Sequence, residues 1–207
     1  MFEPEKLKEV LDPRRQGYER TINVINYLAT HDRERVFREL GDRGIFDENA
    51  FKRAKLGAVL LMTAMGTPML WMGEEFGEHK RKSETVTQPK KIAWSLLERD
   101  LNRDLFEYYK KFIALRQQNP ALQSDNIDFF HENRDTKVLA YVRWNEEGSR
   151  VVVVVNFSEQ NLSGYGIPHF PCAGRWHEWT GNYDVEVEED SIVIDIEPNH
   201  AKVFVWQ

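Results

Sequence analysis

Tyr27-Leu28-Ala29-Thr30-His31-Asp32 closes a short, mostly apolar run, and Arg33-Glu34-Arg35 follow at once. Residues 22–28 carry several β-branched side chains, the pattern of a strand buried on both faces of a parallel sheet. A His-Asp pair directly after such a run, with charge next to it, belongs where a buried strand ends at the rim of a site. The bland alternative is an Asp that starts a helix, with a histidine beside it by chance.

Working outward, residues 32–49 are polar, with Gly41, Asp42 and Gly44 as turn signals, and read as a loop with at most one helical turn. Residues 48–65 then repeat apolar positions at a period near 3.6: Phe51, Ala54, Ala58, Leu61, Met62 and Met65, with Lys55 beside them. Gly66 is the expected helix stop, and Pro68 follows it. Residues 69–72 read as a second short strand. Strand, helix, strand in this order is a βαβ unit with parallel strands.

Residues 74–92 are polar, without periodicity and long for a simple connection, which marks a functional loop. Residues 102–118 form a second helix with Leu105, Tyr108, Tyr109, Phe112, Ile113 and Leu115 on its apolar face, ended by Asn119-Pro120. The charged stretch 3–17, with Pro13, reads as an exposed lead-in. From Asn126 the pattern changes to period two: residues 127–131, 138–144, 150–157, 175–179, 191–196 and 201–206, separated by turn residues. That is an antiparallel β-sandwich of about six to eight strands. The expected division is a first domain over residues 1–120 and a β domain over 121–207.

Composition removes several classes of function. A net charge of −6 argues against a general nucleic-acid binder, which must neutralise phosphates, and against an anionic membrane surface. The charge-free run 56–73 imitates a membrane span, but Gly57, Gly66 and Pro68 fit a buried helix, a turn and a strand better. A lone cysteine, Cys172, cannot form an intramolecular disulfide, and reads as a buried structural thiol. The first residues lack a signal-peptide core, so a cytoplasmic protein is expected. The six histidines have no metal-ligand spacing and no glycine loop cradles a phosphate, so no metal and no cofactor are expected.

His31-Asp32, together with Gly66-Thr67-Pro68 and Gly73-Glu74-Glu75-Phe76-Gly77 about thirty-five residues on, resembles the closing part of the catalytic barrel in the α-amylase family of glycoside hydrolases and glucanotransferases. The resemblance covers nearly the whole chain. The Gly-Glu-Glu-Phe-Gly wording is closest to glycogen branching enzymes. It implies α/β plus all-β architecture: strands seven and eight of a (β/α)8 barrel with their helices, then a C-terminal β domain. Thr30 departs from the Asn that the family often has before His-Asp, which leaves the subfamily open.

The resemblance implies a role for each site residue. Asp32 would be the family's third catalytic carboxylate, gripping sugar hydroxyls and favouring the oxocarbenium-like transition state. His31 would contact a neighbouring hydroxyl. Glu75 would line a subsite or organise the loop, and Glu74 would be structural. Trp71 either stacks on a sugar or packs in the core. Retaining glycosidases need a nucleophile and an acid about 5–5.5 Å apart. The family holds them on strands four and five, and this sequence has neither motif. Arg43 and Asp47 follow the strand-seven signal and are wrongly placed.

The expectation is therefore the C-terminal part of a longer α-1,4-glucan-active enzyme, branching or hydrolytic, inactive by itself. Its partners would be an α-glucan such as glycogen, starch or a maltooligosaccharide, and either the missing barrel portion or a second copy. Two other functions compete. One is a non-catalytic carbohydrate-binding or assembly module, with Trp176, Trp179 and Tyr183 as a platform. The other is an unrelated α/β protein, which residues 22–28 in a helix would support.

Overall fold

A computed structural model describes residues 2–80 and 91–207. The largely exposed lead-in contains a helix: α1 (Pro4–Leu11) starts on Pro4, whose fixed φ suits a first helical turn. Leu11 is buried, and its carbonyl accepts from Met65 N at 3.0 Å. A 3-10 turn over Thr21–Asn23 leads to β1 (Ile25–Asn26). After the His-Asp pair come α2 (Val36–Asp42) and α3 (Asp47–Thr63), so the expected loop holds a full short helix. β2 (Thr67–Pro68) pairs with β1 in parallel, Ile25 opposite Thr67 and Asn26 opposite Pro68. Thr67 N donates to Val24 O at 2.9 Å and Met69 N to Asn26 O at 2.8 Å.

The βαβ unit is present, with two corrections. The second strand lies at 67–68 rather than 69–72. The first is two residues long and is not buried: Ile22 is 67% exposed, Ile25 58% and Tyr27 46%. A strand is covered on both faces only when neighbours flank it, and among the described residues β1 pairs with β2 alone.

The expected long loop opens on a 3-10 turn over Glu74–Phe76, its residues 81–90 lie outside the described residues, and another 3-10 turn, Trp94–Glu98, follows it. α4 (Asp100–Gln118) follows, and Asn119 caps the short turn after it through Ala121 N. Among the described residues no helix is long and apolar enough to cross a membrane, since α3 ends before Gly66.

The β region contains β3 (Ile127–Asn133), β4 (Val138–Trp144), β5 (Arg150–Asn156), β6 (Leu162–Pro168), β7 (Gly174–Glu178), β8 (Tyr183–Val187), β9 (Ser191–Ile196) and β10 (His200–Trp206). Six form an antiparallel sheet in the order β3-β4-β5-β10-β7-β8, and β6 pairs with β9 in a second sheet. Period-two alternation sorts the large sheet's side chains onto two faces. Tyr141, Val153 and Val203 pack with Leu61, Tyr109 and Phe112 of α3 and α4. Ala140, Val154 and Phe204 pack with Ile167, Ile192 and Ile194 of the small sheet. The first core therefore spans the helical part and the sheet.

The C-terminal end of α3 joins these parts. Five successive carbonyls, Met62 to Gly66, each accept from a side chain. Arg116 of α4 serves Met62, Ala64 and Gly66 at 2.7, 2.9 and 2.6 Å. Arg143 of β4 serves Thr63 at 2.6 Å, and Asn26 of β1 serves Met65 at 2.5 Å. A helix leaves its last carbonyls without intrahelical partners, and here an arginine from each neighbour and an asparagine from the strand supply them.

Candidate active site

β1 and β2 run in parallel, so the chain leaving the end of each emerges at the same edge of the pair. His31 and Asp32 stand on the first of these exits. Neither starts a helix: Asp32 lies four residues before α2. Both side chains are largely exposed, at 72% and 75%, and His31 Nε2 lies 3.1 Å from Asp32 Oδ2. Ala29 and Thr30 beneath them are buried. The Thr30 hydroxyl accepts from Asp32 N at 3.0 Å. A short side-chain oxygen that takes the amide two residues on is what Asn would also supply, so Thr30 preserves this turn despite the change of residue.

Trp71 stands on the second exit and meets the first. Its ring lies 6.0 Å from the His31 ring, tilted by 47°. Arg35 ties the two exits together, donating to Met72 O at 2.7 Å. Trp71 also lines a groove of about 510 Å³ with Met69, Met72, Glu75, Phe106 and Tyr109. The structure thus brings His31, Asp32 and Trp71 together, and Trp71 with Glu75. His31 and Asp32 do not line the groove that holds Glu75.

Glu74 and Glu75 lie in the connection that follows β2. Left-handed Gly73 (φ 89°) and Gly77 (φ 76°) bracket them in a single 3-10 turn. A Cβ on Gly73 would also come within 2.7 Å of Glu78 Cβ, so this bend requires glycine. The two carboxyls are close enough to interact. Burial pushes Glu74 up to about 7, and the Glu75 charge adds to this against the opposing Tyr109 hydrogen bond. Tyr109 OH donates to Glu74 Oε1 at 3.0 Å, while one oxygen of each glutamate is buried without a hydrogen-bond partner. At about 7 the Glu74 carboxyl is roughly half protonated at neutral pH, unlike an ordinary ionised carboxylate.

Glu78, Tyr109 and Arg35 organise this edge, and sequence reasoning missed them. Glu78 is buried and accepts from His79 N, Lys80 N and Ala93 N at 2.9, 3.0 and 2.7 Å. Burial alone would raise its carboxyl, but these amides together hold it below the usual value. Nothing local in the sequence marks an acid one of whose donors, Ala93 N, lies fifteen residues ahead. Tyr109 was visible only as an apolar-face residue, and Arg35 as part of a charge run.

The sugar platform drawn from the sequence on the β domain does not form as a unit. Trp176 is fully buried and Trp179 packs against the first core, which leaves Tyr183 exposed. Cys172 is half-buried rather than buried, and burial raises its thiol. Residues 22–28 hold only the tail of one 3-10 turn before the parallel strand, which removes the helical alternative.

Residues 1–105 match the family described as alpha amylase, catalytic domain, and residues 130–207 match the alpha amylase C-terminal all-beta domain. The chain is 30% identical over 182 residues to neopullulanase 2 of Thermoactinomyces vulgaris, covering 87% of this chain and 29% of that protein. It is 33% identical over 117 residues to the 1,4-alpha-glucan branching enzyme GlgB of Salinibacter ruber, covering 55% and 18% respectively. The fold superposes on a pullulanase from Anoxybacillus sp. LM18-11, solved in complex with maltotriose, with a TM-score of 0.79 at 20% identity, over 99% of this chain and 30% of that one. The chain spans under a third of the length of each. It belongs to the α-amylase family, with part of the catalytic domain followed by the C-terminal all-β domain.

Proposed function

We propose that this chain forms one wall of an α-1,4-glucan site, with Asp32 as the carboxylate that grips sugar hydroxyls in the transition state and His31 as its hydroxyl-contacting neighbour. The observation that carries this is the exposed His31-Asp32 pair on the exit of β1, with the Trp71 ring against His31. An ionised carboxylate that accepts from a ring hydroxyl binds more strongly as positive charge develops on the sugar, which lowers the barrier. An indole beside it gives the apolar face of a pyranose a surface to lie on. Glu75, lining the groove next to Trp71, supplies a further polar group at its edge. Relatives of the chain include a neopullulanase and a 1,4-alpha-glucan branching enzyme. Which acceptor the family chemistry uses, water or a sugar hydroxyl, is set by subsites beyond His31 and Asp32.

Asp32 and His31 do not cleave a glycosidic bond by themselves, because a retaining mechanism needs a nucleophile and an acid across the bond. Purified 207-residue protein is therefore expected to release no reducing ends from amylose, nor to shift its iodine colour. Titration with maltotetraose, followed by amide and indole resonances, is expected to move His31, Asp32 and Trp71. Shifts confined to residues 121–207 would replace this proposal with the carbohydrate-binding module, and turnover of amylose would contradict the division of labour.

A further inference from the structure

Glu74 touches no sugar in the site proposed for His31, Asp32 and Trp71, yet it is an acid where a glutamine would fit. Only 5% of it is exposed, and its Oε2 is buried without a hydrogen-bond partner. An ionised carboxylate in such a place weakens the fold, and a glutamine would keep an acceptor for Tyr109 without the charge. A buried ionisable group beside a site therefore needs a reason. Three elements meet on it. Tyr109 of α4 donates to Oε1 at 3.0 Å. On the exit of β2, Trp71 O accepts from Glu74 N at 2.9 Å. The amides of Ala29, on the exit of β1, and of Trp71 face the carboxyl and favour its charged form, although Oε2 remains unbonded. Ala29 is fully buried and lies two residues before His31, and Thr30 between them accepts from Asp32 N at 3.0 Å. Trp71 carries the ring that lies 6.0 Å from that of His31. The residues of the site are thus attached on both sides of one carboxyl.

We propose that Glu74 is a positioning residue, whose ionisation draws the exits of β1 and β2 onto one carboxylate and so sets His31, Asp32 and Trp71 for an α-glucan. The inference rests on the α-glucan reading above and adds a control to it. A neutral carboxyl is a weak acceptor for the amides of Ala29 and Trp71. An ionised one accepts from them with the strength of a charge-assisted bond, and its spare oxygen is there to take them. The titratable groups facing Glu74 are Glu75 on its own turn and Tyr109 of α4, while the exit of β1 presents backbone. Burial holds the Tyr109 phenol well above its ordinary range, so it stays a donor throughout. Burial and the Glu75 charge bring Glu74 to about 7, so the change of state falls in the neutral range. The ligand then favours the ionised form, and by reciprocity the ionised form favours the ligand.

The test is a titration of the whole chain with maltotetraose at about pH 5.5 and about pH 8.5, for the native protein and for Glu74→Gln, with the Glu74 carboxyl resonance followed in parallel. Glu74→Gln imitates the neutral acid. It is expected to bind as the native chain does at the lower pH, and about threefold more weakly than it at the higher. His31 and Asp32 are present in both proteins, so any pH dependence of their own cancels in this ratio. Reciprocity then requires saturating maltotetraose to lower the titration midpoint of native Glu74 by about half a pH unit, a result that needs no variant to fold. An acid that serves the fold alone changes the unfolding midpoint with pH and moves neither readout. If maltotetraose shifts His31, Asp32 and Trp71 while the ratio is the same at both pH values and the Glu74 midpoint stays in place, the positioning role is wrong and the α-glucan reading stands. If none of the three residues responds, both fall. Where ratio and midpoint disagree, the midpoint decides, because it is read on Glu74 itself.

Discussion

Glu74 shows how an environment decides the state of a side chain. Burial, then the neighbouring Glu75 charge, raises its carboxyl from an ordinary value of 4.5 to about 7. The native state keeps a proton that the unfolded chain gives up, so the contribution of Glu74 to stability is greatest below pH 4.5 and is lost as pH rises through 7. Glu74→Gln is neutral at all pH values and keeps an oxygen for the Tyr109 hydroxyl. Urea unfolding should find variant and native chain nearly equal near pH 4, and the variant more stable at pH 8 by as much as about 3 kcal/mol. A difference that is the same at both pH values would place the Glu74 carboxylate in a solvated site. That His31 and Asp32 would follow a strand end was legible in the sequence, because a strand end is a local pattern. The state of Glu74 was not, because its hydrogen-bond donor, Tyr109, lies thirty-five residues away on another helix.

The end of α3 makes a similar point for a whole element. Gly66 and Pro68 announced where the helix would stop, but not what would satisfy its last carbonyls. Arg143 is fully buried and donates to Thr63 O, Asn126 O and Ser124 O at 2.6, 2.9 and 2.6 Å. Burial brings its guanidinium down to about 10, which leaves it charged at neutral pH. Its donors hold the end of α3 against the turn that precedes β3. Arg143→Met keeps the length of the side chain and leaves those carbonyls without it, a loss of at least about 3 kcal/mol of unfolding free energy. Arg143→Lys should recover little, since one ammonium cannot span carbonyls that a planar fork reaches together. Urea unfolding of the two variants measures both effects, and a near-native Arg143→Lys would show that charge alone suffices. Strands β4 and β9 were found in the sequence with the right ends, β9 because exposed and buried residues alternate through it and β4 because turn residues bound an almost wholly apolar run. β6 was not, since Gly164, Gly166 and Pro168 interrupt its pattern, and β8 was not, since four of its five residues face solvent at least in part.

Taken together, the molecule has two cores, one shared by the helices and the large sheet and one between the two sheets, and one open side. Tyr141, Val153 and Val203 of the large sheet share a core with Leu61 and Phe112, so one face of that sheet is buried against α3 and α4. The opposite end of the helical part is different. Ile22, Ile25, Tyr27 and Met72 are 67%, 58%, 46% and 56% exposed around a two-stranded parallel sheet. Two parallel strands are not stable as an open pair, because both edges present unpaired backbone groups and their side chains remain wet. Covering those side chains removes apolar area from water, which drives either further strands onto the pair or a second copy of the chain against it. The isolated chain is therefore expected to self-associate in a concentration-dependent way in sedimentation velocity runs. Ile25→Lys should weaken the association without lowering the unfolding midpoint, because Ile25 contributes little to the buried core. A monomer at all concentrations, with residues 2–80 resistant to protease, would show that β1 and β2 hold together unaided, and the local pairing of Ile25 with Thr67 would have to be stronger than two strands ordinarily allow.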